Sequence, residues 1–169
     1  MSENLTGHLS PSDPALSPVT RAMLVVREPV LQAWMDQVRG TVPQAKELPL
    51  PILENTLPAY FDTLAALLTP GYSARVVTDL GAVASEHGGE RARLTPYDAT
   101  ALIHELQIFR DVLLRELARH GVDLDESQRA TLVAHIDATI RERAYAFTVV
   151  QAGVREQVVA SMAHALRTP

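Results

Sequence analysis

The sequence of 169 residues contains no cysteine, few aromatic residues and no uncharged apolar stretch as long as a membrane span, which needs roughly 20 residues. Without cysteine, neither a disulfide framework nor a thiolate metal site can form. The N-terminus lacks the basic region followed by an apolar one that marks a secretory signal. These absences predict a cytoplasmic protein that does not enter a membrane.

Positive charge is also scarce. Lys and Arg number 15 against 20 Asp and Glu, and the formal net charge of -5 provides no basic surface for nucleic acid. The hydrophobic fraction of 47% is rich in Ala and Leu and only 5% of the chain is aromatic, which is typical of packed helices rather than sheets. We therefore predict an all-α helical bundle.

Turn residues and apolar spacing divide this bundle into five helices. The leader over 1–18 is rich in proline and serine and is predicted to be disordered. The helical domain should cover 19–144, beginning with a helix that Ser17 caps and that Pro29 kinks or splits. Thr95 and Pro96 are predicted to open the fourth helix. The expected helices cover roughly residues 18–40, 53–68, 73–87, 96–121 and 125 onwards.

The fifth helix, with Asp125 as its cap, is too long for one small domain to cover. We expect its first half to complete the bundle and residues 145–169 to project and pair with the same helix of a second subunit. Residues 141–143 are interpreted as a solvated charged face, and the apolar stripe allows a register change around residues 141–145. Gly153 either acts as a flexible point or permits close helix approach. The apolar stripe comprises Leu132, Val133, Ile136, Ile140, Phe147, Val150, Val154, Val158, Met162 and Leu166.

The last nine residues carry the most specific motif of the chain. They resemble the phosphoacceptor box at the start of the HisKA helix of sensor histidine kinases, a family of two-component systems. In that family a neutral imidazole nitrogen, exposed on a dimerising helix, attacks the γ-phosphate of ATP. The resemblance implies that His164 is the phosphoacceptor. The matching positions are His164, Leu166, Arg167, Thr168 and Pro169.

Ala165 departs from this pattern, because the family has an acidic residue immediately after the histidine, where it is thought to help as a general base. No Gly-rich nucleotide loop or Mg²⁺ ligand set follows the box in this sequence. We therefore expect no cofactor in these residues and no catalysis by them alone. ATP and Mg²⁺ are expected only for a kinase domain, and a response regulator is the partner that takes phosphate from His164.

A second resemblance covers residues 27–145, which are similar to the RsbR/RsbRD-type N-terminal sensory domain. This all-helical module occurs on stressosome co-antagonists and at the front of some bacterial histidine kinases. The resemblance implies a globin-like helix arrangement without haem. It rests on residues 30–34, on the Leu57-Pro58 opening of segment 55–64, on His87-Gly88 with Arg91, and on the segment from His104 to Arg110.

Four side chains are candidates for sensing a signal: His104, Glu105, Arg110 and Trp34. His104 lies in an apolar helix beside Glu105, and the alternative is that it is a satisfied core or groove residue. No His/Asp/Glu set has metal-ligand spacing, and no histidine is paired for haem, so neither group is predicted. The aromatic residues either line a small-molecule pocket or belong to the core. They are Trp34, Tyr60, Tyr97, Phe109 and Tyr145.

The sequence thus predicts a homodimeric sensory input domain of a two-component histidine kinase. A small molecule or protein signal would bias the packing of the bundle, and the fifth helix would carry the change to His164. The rival hypothesis is a stressosome-type interaction scaffold, or a phosphotransfer module without kinase activity, which Ala165 favours. Neither hypothesis involves nucleic acid or a membrane.

Overall fold

The computed structural model describes residues 9–46, 48–49, 53, 56–71 and 97–165; beyond Val154, Glu156 is the one residue whose side chain is described. Within these residues the fold is all-α, which confirms the predicted fold class. The predicted third helix over 73–87, with His87, lies outside the described residues. The described residues contain five α-helices, α1 (Pro18–Val25), α2 (Arg27–Thr41), α3 (Leu57–Ala66), α4 (Ala99–Arg119) and α5 (Glu126–Ala165), and a short 3-10 helix over Pro43–Ala45.

The helical hydrogen bonding is interrupted between α1 and α2 at Val26, because Pro29 follows three residues later. Pro29 has no N–H to donate to the carbonyl of Val25, and its ring clashes with that carbonyl. The Val26 N–H bonds instead to the Met23 carbonyl at 3.0 Å. The predicted split is therefore present, and Pro29 itself lies in the first turn of α2, where a missing N–H costs nothing.

The predicted disordered leader is wrong for residues 9–17, which pack on the bundle. Leu16 is buried, and the Leu9 N–H donates to Asp62 Oδ2 at 3.1 Å. Composition favoured disorder because proline and serine dominate this segment, but two spaced leucines and backbone hydrogen bonds hold it in place. Residues 1–8 lie outside the described residues.

The start of α1 follows the prediction. The Ser17 hydroxyl accepts a hydrogen bond from the Thr20 N–H at 3.2 Å, and Pro18 is the first helical residue. The Thr20 hydroxyl is buried and donates to the Ala65 carbonyl of α3 at 2.7 Å. A single helix start thus also fixes the position of α1 against α3.

The start of α4 differs from the predicted Thr95 and Pro96, which lie outside the described residues. Asp98 is the cap, since its backbone is extended and its carboxylate accepts the Ala101 N–H at 2.7 Å. An aspartate cap is as effective as a threonine cap, and the sequence offers both within four residues. Local rules alone therefore do not choose between the two starts.

The end of α4 is a Schellman motif, in which Gly121 adopts a left-handed conformation with φ of +72°. Its N–H donates to the Ala118 carbonyl at 3.1 Å, and the Val122 N–H donates to the Leu117 carbonyl at 2.9 Å. Val122 and Leu117 are both buried, as the motif's hydrophobic contact requires. The predicted stop at Gly121 is confirmed.

The start of α5 is a reciprocal capping box. The Gln128 N–H donates to Asp125 Oδ1 at 2.7 Å, and the Asp125 N–H donates to Gln128 Oε1 at 3.0 Å. From this cap the helix runs unbroken from Glu126 to Ala165. Asp125 was predicted as the cap, and the structure confirms it.

The core is arranged around α4, which packs against α2 on one side and α5 on the other, while α3 packs against α1 and α2. This central position explains the wide apolar arc of α4. Apolar side chains from all five helices join in one cluster. Its fully buried members include Met23, Val30, Trp34, Val38, Leu57, Tyr60, Phe61, Leu64, Leu102, Phe109, Val112, Leu113, Leu117, Leu132 and Phe147.

One face of α5 enters this core without a change of register. Its buried side chains follow each other at intervals of four, three, four and four residues, which is the helical period. The described side chains from Thr148 to Val154, and that of Glu156, are all exposed or half-exposed. The bundle therefore covers α5 as far as Phe147. The buried side chains of α5 are Leu132, Ile136, Thr139, Arg143 and Phe147.

Two glycines should respond oppositely to alanine. Gly121→Ala is expected to lower the free energy of unfolding by roughly 1 kcal/mol, because a Cβ disfavours the left-handed conformation. Gly40→Ala is expected to raise it by up to roughly 1 kcal/mol, because Gly40 lies in α2. An added Cβ meets no atom within 4 Å at either position, so only the backbone differs. Urea unfolding followed by circular dichroism measures both, and changes of the same sign would contradict the assignment.

Candidate functional site

A buried arginine lies at the centre of the region where α3, α4 and α5 meet. Arg143 has no exposed surface, which corrects the prediction that residues 141–143 form a solvated face. Arg141 and Glu142 are exposed, as expected. The guanidinium carbon of Arg143 lies 4.7 Å from the centroid of the Tyr60 ring, a cation–π contact between α5 and α3. A planar, weakly hydrated guanidinium suits such a buried stack better than an ammonium group does.

Tyr60 connects this contact to α4. Its ring is fully buried and packs against Phe109, with 5.7 Å between ring centroids and a tilt of 44°. Burial raises the pKa of Tyr60 to about 12, because the phenolate would form in apolar surroundings. The nearby Thr139 side chain and the charge of Arg143 partly offset this by favouring the phenolate. At neutral pH the phenol is therefore protonated.

Two of the four candidate sensing residues meet in the core. Trp34 of α2 is fully buried, and its Nε1–H donates to the backbone carbonyl of Glu105 in α4 at 3.3 Å. The Glu105 side chain is itself fully buried, which is rare for a carboxylate. Trp34 and Glu105 thus tie α2 to α4 on the inner side of the bundle.

The other two candidates lie elsewhere. His104 is exposed, so its neighbour Glu105 enters the core while the imidazole does not. Arg110 is half-buried between helices: its Nη1 donates to Asp137 Oδ1 of α5 at 2.9 Å, and its Nε donates to Asp111 Oδ1 at 3.1 Å. The hydrogen bond to Asp137 raises the pKa of Arg110. The four predicted residues therefore do not form a single site.

The remaining aromatic and histidine side chains are also divided between the core and the surface. Tyr97 is buried, whereas Tyr145 is 73% exposed and does not share a pocket with the core rings. His120 is the C-cap of α4, and its Nε2 lies 3.9 Å from Glu116 Oε2. Among the described residues, no three His, Asp or Glu side chains are grouped closely enough to hold a metal ion.

His164 lies on the last described turn of α5, whose helical backbone extends to Ala165. The other motif residues, 166–169, lie outside the described residues. From Arg143 to His164 the helix is unbroken, and at 1.5 Å per residue the two positions are roughly 32 Å apart along its axis. The candidate phosphoacceptor and the buried arginine therefore belong to one continuous element.

Arg143 is the functional candidate that the sequence prediction missed. The signal was the spacing: Ile136, Ile140, Arg143 and Phe147 follow at intervals of four, three and four residues. An unbroken stripe requires the arginine inside the core. The prediction instead allowed a register change there, because charged residues are almost never fully buried unless paired.

No protein-family model, curated protein or solved structure matches this chain. The resemblance of the C-terminal box to histidine kinases and that of residues 27–145 to stressosome sensory domains therefore stay predictions. Within the part of the chain that the structure describes, no helix has the length and apolar character needed to cross a bilayer.

The phenol of Tyr60 should give the protein a pH-dependent stability. Between pH 10 and 12 the unfolded state loses the tyrosine proton while the folded state keeps it, so stability falls as pH rises. The loss should approach a limit on the order of 2 kcal/mol. Tyr60→Phe should remove this part of the slope, as measured by urea unfolding between pH 9 and 11.5.

Tyr145→Phe is the matched control, because it removes the same hydroxyl from an exposed ring. It should leave the slope as in the unmodified chain. Equal slopes in the Tyr60→Phe variant and the unmodified chain would show that Tyr60 is not desolvated as described.

Proposed function

We propose that these residues form the sensory input domain of a cytoplasmic two-component histidine kinase, together with the beginning of its phosphoacceptor helix. The observation that carries the proposal is α5, one helix that starts in the bundle core and continues to His164. The sequence of the terminal box supplies the chemistry, and the helix supplies a rigid connection between the core and that box.

A homodimer is part of the proposal. Val150 and Val154 follow Phe147 at intervals of three and four residues, so they continue the face that packs in the bundle. Val154 is nevertheless 44% exposed. A second copy of α5 in parallel would cover these valines with the same residues, as a two-fold symmetric contact does.

In this proposal a signal changes the packing of the bundle, and α5 carries the change to His164. An imidazole nitrogen of His164 attacks the γ-phosphorus of Mg²⁺-ATP held by a separate domain. The bond from phosphorus to the β–γ bridging oxygen breaks, ADP leaves, and the imidazole loses its N–H proton. Ala165 has no group to accept that proton, so solvent or another residue takes it. The phosphoryl group then passes to a response regulator.

The second candidate function is a stressosome-type scaffold or a phosphotransfer module, and Ala165 is the observation that favours it. A scaffold uses the helical bundle for assembly and leaves His164 without phosphate. A phosphotransfer module receives phosphate on His164 from elsewhere. The candidates therefore differ in what reaches His164.

Phosphorylation distinguishes them. A fusion that continues the helix after Pro169 into the dimerisation and ATP-binding domains of a known histidine kinase should incorporate acid-labile phosphate from ATP. The label should be absent in His164→Gln and retained in His135→Gln, which changes another α5 histidine. Ala165→Glu should raise the rate, because a carboxylate there accepts the proton.

Each alternative has its own result in that experiment. A fusion that is labelled only after Ala165→Glu would show that the native box is not competent and would favour the scaffold. Residues 1–169 incubated alone with Mg²⁺-ATP should take up no label, since the proposed ATP site is on another domain. Label on His164 under those conditions would contradict the proposal.

The dimer is expected to depend on the exposed face of α5. A chain ending at Val149 keeps the buried Phe147 and should be monomeric by light scattering, whereas residues 1–169 should be dimeric. Val154→Glu should raise the dimer dissociation constant roughly tenfold or more, because each subunit loses an apolar contact and gains a charge there.

Val149→Glu is the matched control, since Val149 is 51% exposed on another side of α5. It should leave the dissociation constant nearly unchanged. A larger effect from Val149→Glu than from Val154→Glu would show that the dimer interface lies on the face of Val149, which would contradict the proposed interface. Dimers of equal strength in both chain lengths would place it in the bundle.

A further inference from the structure

We propose that the contact between Arg143 and Tyr60 sets the angle at which α5 leaves the bundle, so that a displacement of α3 is transmitted to the projecting part of α5. Its meaning for signalling rests on the proposed function, but the mechanical coupling does not. Arg143 acts here as a positioning residue, because it touches neither a substrate nor His164.

Arg143 lies close to the point where α5 leaves the bundle. Among the side chains of α5 that the structure describes, Phe147 is the one buried side chain that follows Arg143, and those beyond Phe147 are exposed or half-exposed. Arg143 therefore belongs to the last turns that the bundle holds. A tilt of α5 by about 10° at that level moves a point roughly 32 Å away, the distance to His164, by about 6 Å.

The contact between Arg143 and Tyr60 is a buried cation–π stack. A cation–π contact that is shielded from water is stronger than an exposed one, so separating the guanidinium from the ring inside the core costs more than sliding one apolar side chain past another. When Tyr60 moves, α5 is therefore expected to follow. A well-packed apolar side chain would serve stability equally well. The arginine is thus better explained by orientation than by stability.

Tyr60 lies where α3 contacts both α4 and α5. Its ring contacts Phe109 of α4 as well as Arg143 of α5, and it is carried by α3, which packs against α1 and α2. Tyr60 is thus where repacking of several helices reaches the exit of α5. A change at α1, α2 or α4 that shifts α3 reaches the same contact.

The absence of cysteine permits a direct measurement. Spin labels at Gln107→Cys in α4 and Glu156→Cys in α5 report the exit angle, and labels at Gln107→Cys and Glu126→Cys report the part of α5 inside the bundle. All three positions are exposed. Dilution with unlabelled chain restricts pulsed dipolar spectroscopy to distances within one subunit, so a failure to dimerise does not affect the result.

Arg143→Met should shift or broaden the distance from 107 to 156 by about 3 to 4 Å, for a tilt of about 10° over the roughly 20 Å from Arg143 to Glu156. The distance from 107 to 126 should stay unchanged. Arg141→Met removes an exposed arginine two residues away and should alter neither distance. An unchanged distribution in Arg143→Met, or an equal change in Arg141→Met, would overturn the proposal.

Tyr60 provides an independent pair of variants. Tyr60→Leu removes the ring and should reproduce the effect of Arg143→Met, and the double variant should add nothing. Tyr60→Phe keeps the ring and should keep the original distribution; a change as large as that of Tyr60→Leu would overturn the proposal. Helicity and Trp34 emission verify folding. If Arg143→Met does not fold, the distance from 107 to 156 is measured in Arg143→Lys instead. This variant should show an intermediate shift, and an unchanged distance would contradict the coupling.

Discussion

The helical period of 3.6 residues fixes which side chains of α5 can face the bundle, and much of the structure follows from that constraint. A face that begins at Leu132 and Ile136 returns to the core at positions 139, 143 and 147, whatever residues stand there. Arginine at 143 is therefore buried because of its place in the period. The same period carries Val150 and Val154 past the edge of the bundle, where water or a second subunit must cover them.

The buried polar groups give this small core its orientation. Apolar contacts between helices tolerate sliding, whereas a buried polar group must keep its partner. The Thr20 hydroxyl of α1 donates a hydrogen bond to the Ala65 carbonyl of α3, and Arg27 Nη1 of α2 donates one to Asp62 Oδ1 of α3 at 2.8 Å. Together with the stack on Tyr60, these contacts specify how α1, α3 and α5 sit in the bundle. They add specificity at a cost that the apolar cluster around α4 offsets.

The sequence predicted what depends on neighbouring residues and missed what depends on distant ones. Caps at Ser17 and Asp125 and the stop at Gly121 obey local rules, and the structure confirms them. The packing of residues 9–17 depends on contacts far along the chain, such as the hydrogen bond from the Leu9 N–H to Asp62. The stack of Arg143 on Tyr60 joins two residues that are 83 positions apart, a contact that no local window of the sequence shows. His164 was predicted from a motif, which no packing rule supplies.

The two candidate functions make different demands on α5. A scaffold needs the bundle surface and gains nothing from a helix that continues without interruption to a histidine box. A sensor kinase needs both, because a packing change is useful only if a rigid element carries it to the reacting imidazole. A buried charge at the exit of the bundle is followed by an exposed apolar face in the same register. In the proposed mechanism the charge would fix the direction of α5, and the apolar face would be the surface on which two such helices pair. The continuity of α5 therefore favours the kinase, even with Ala165 beside the histidine.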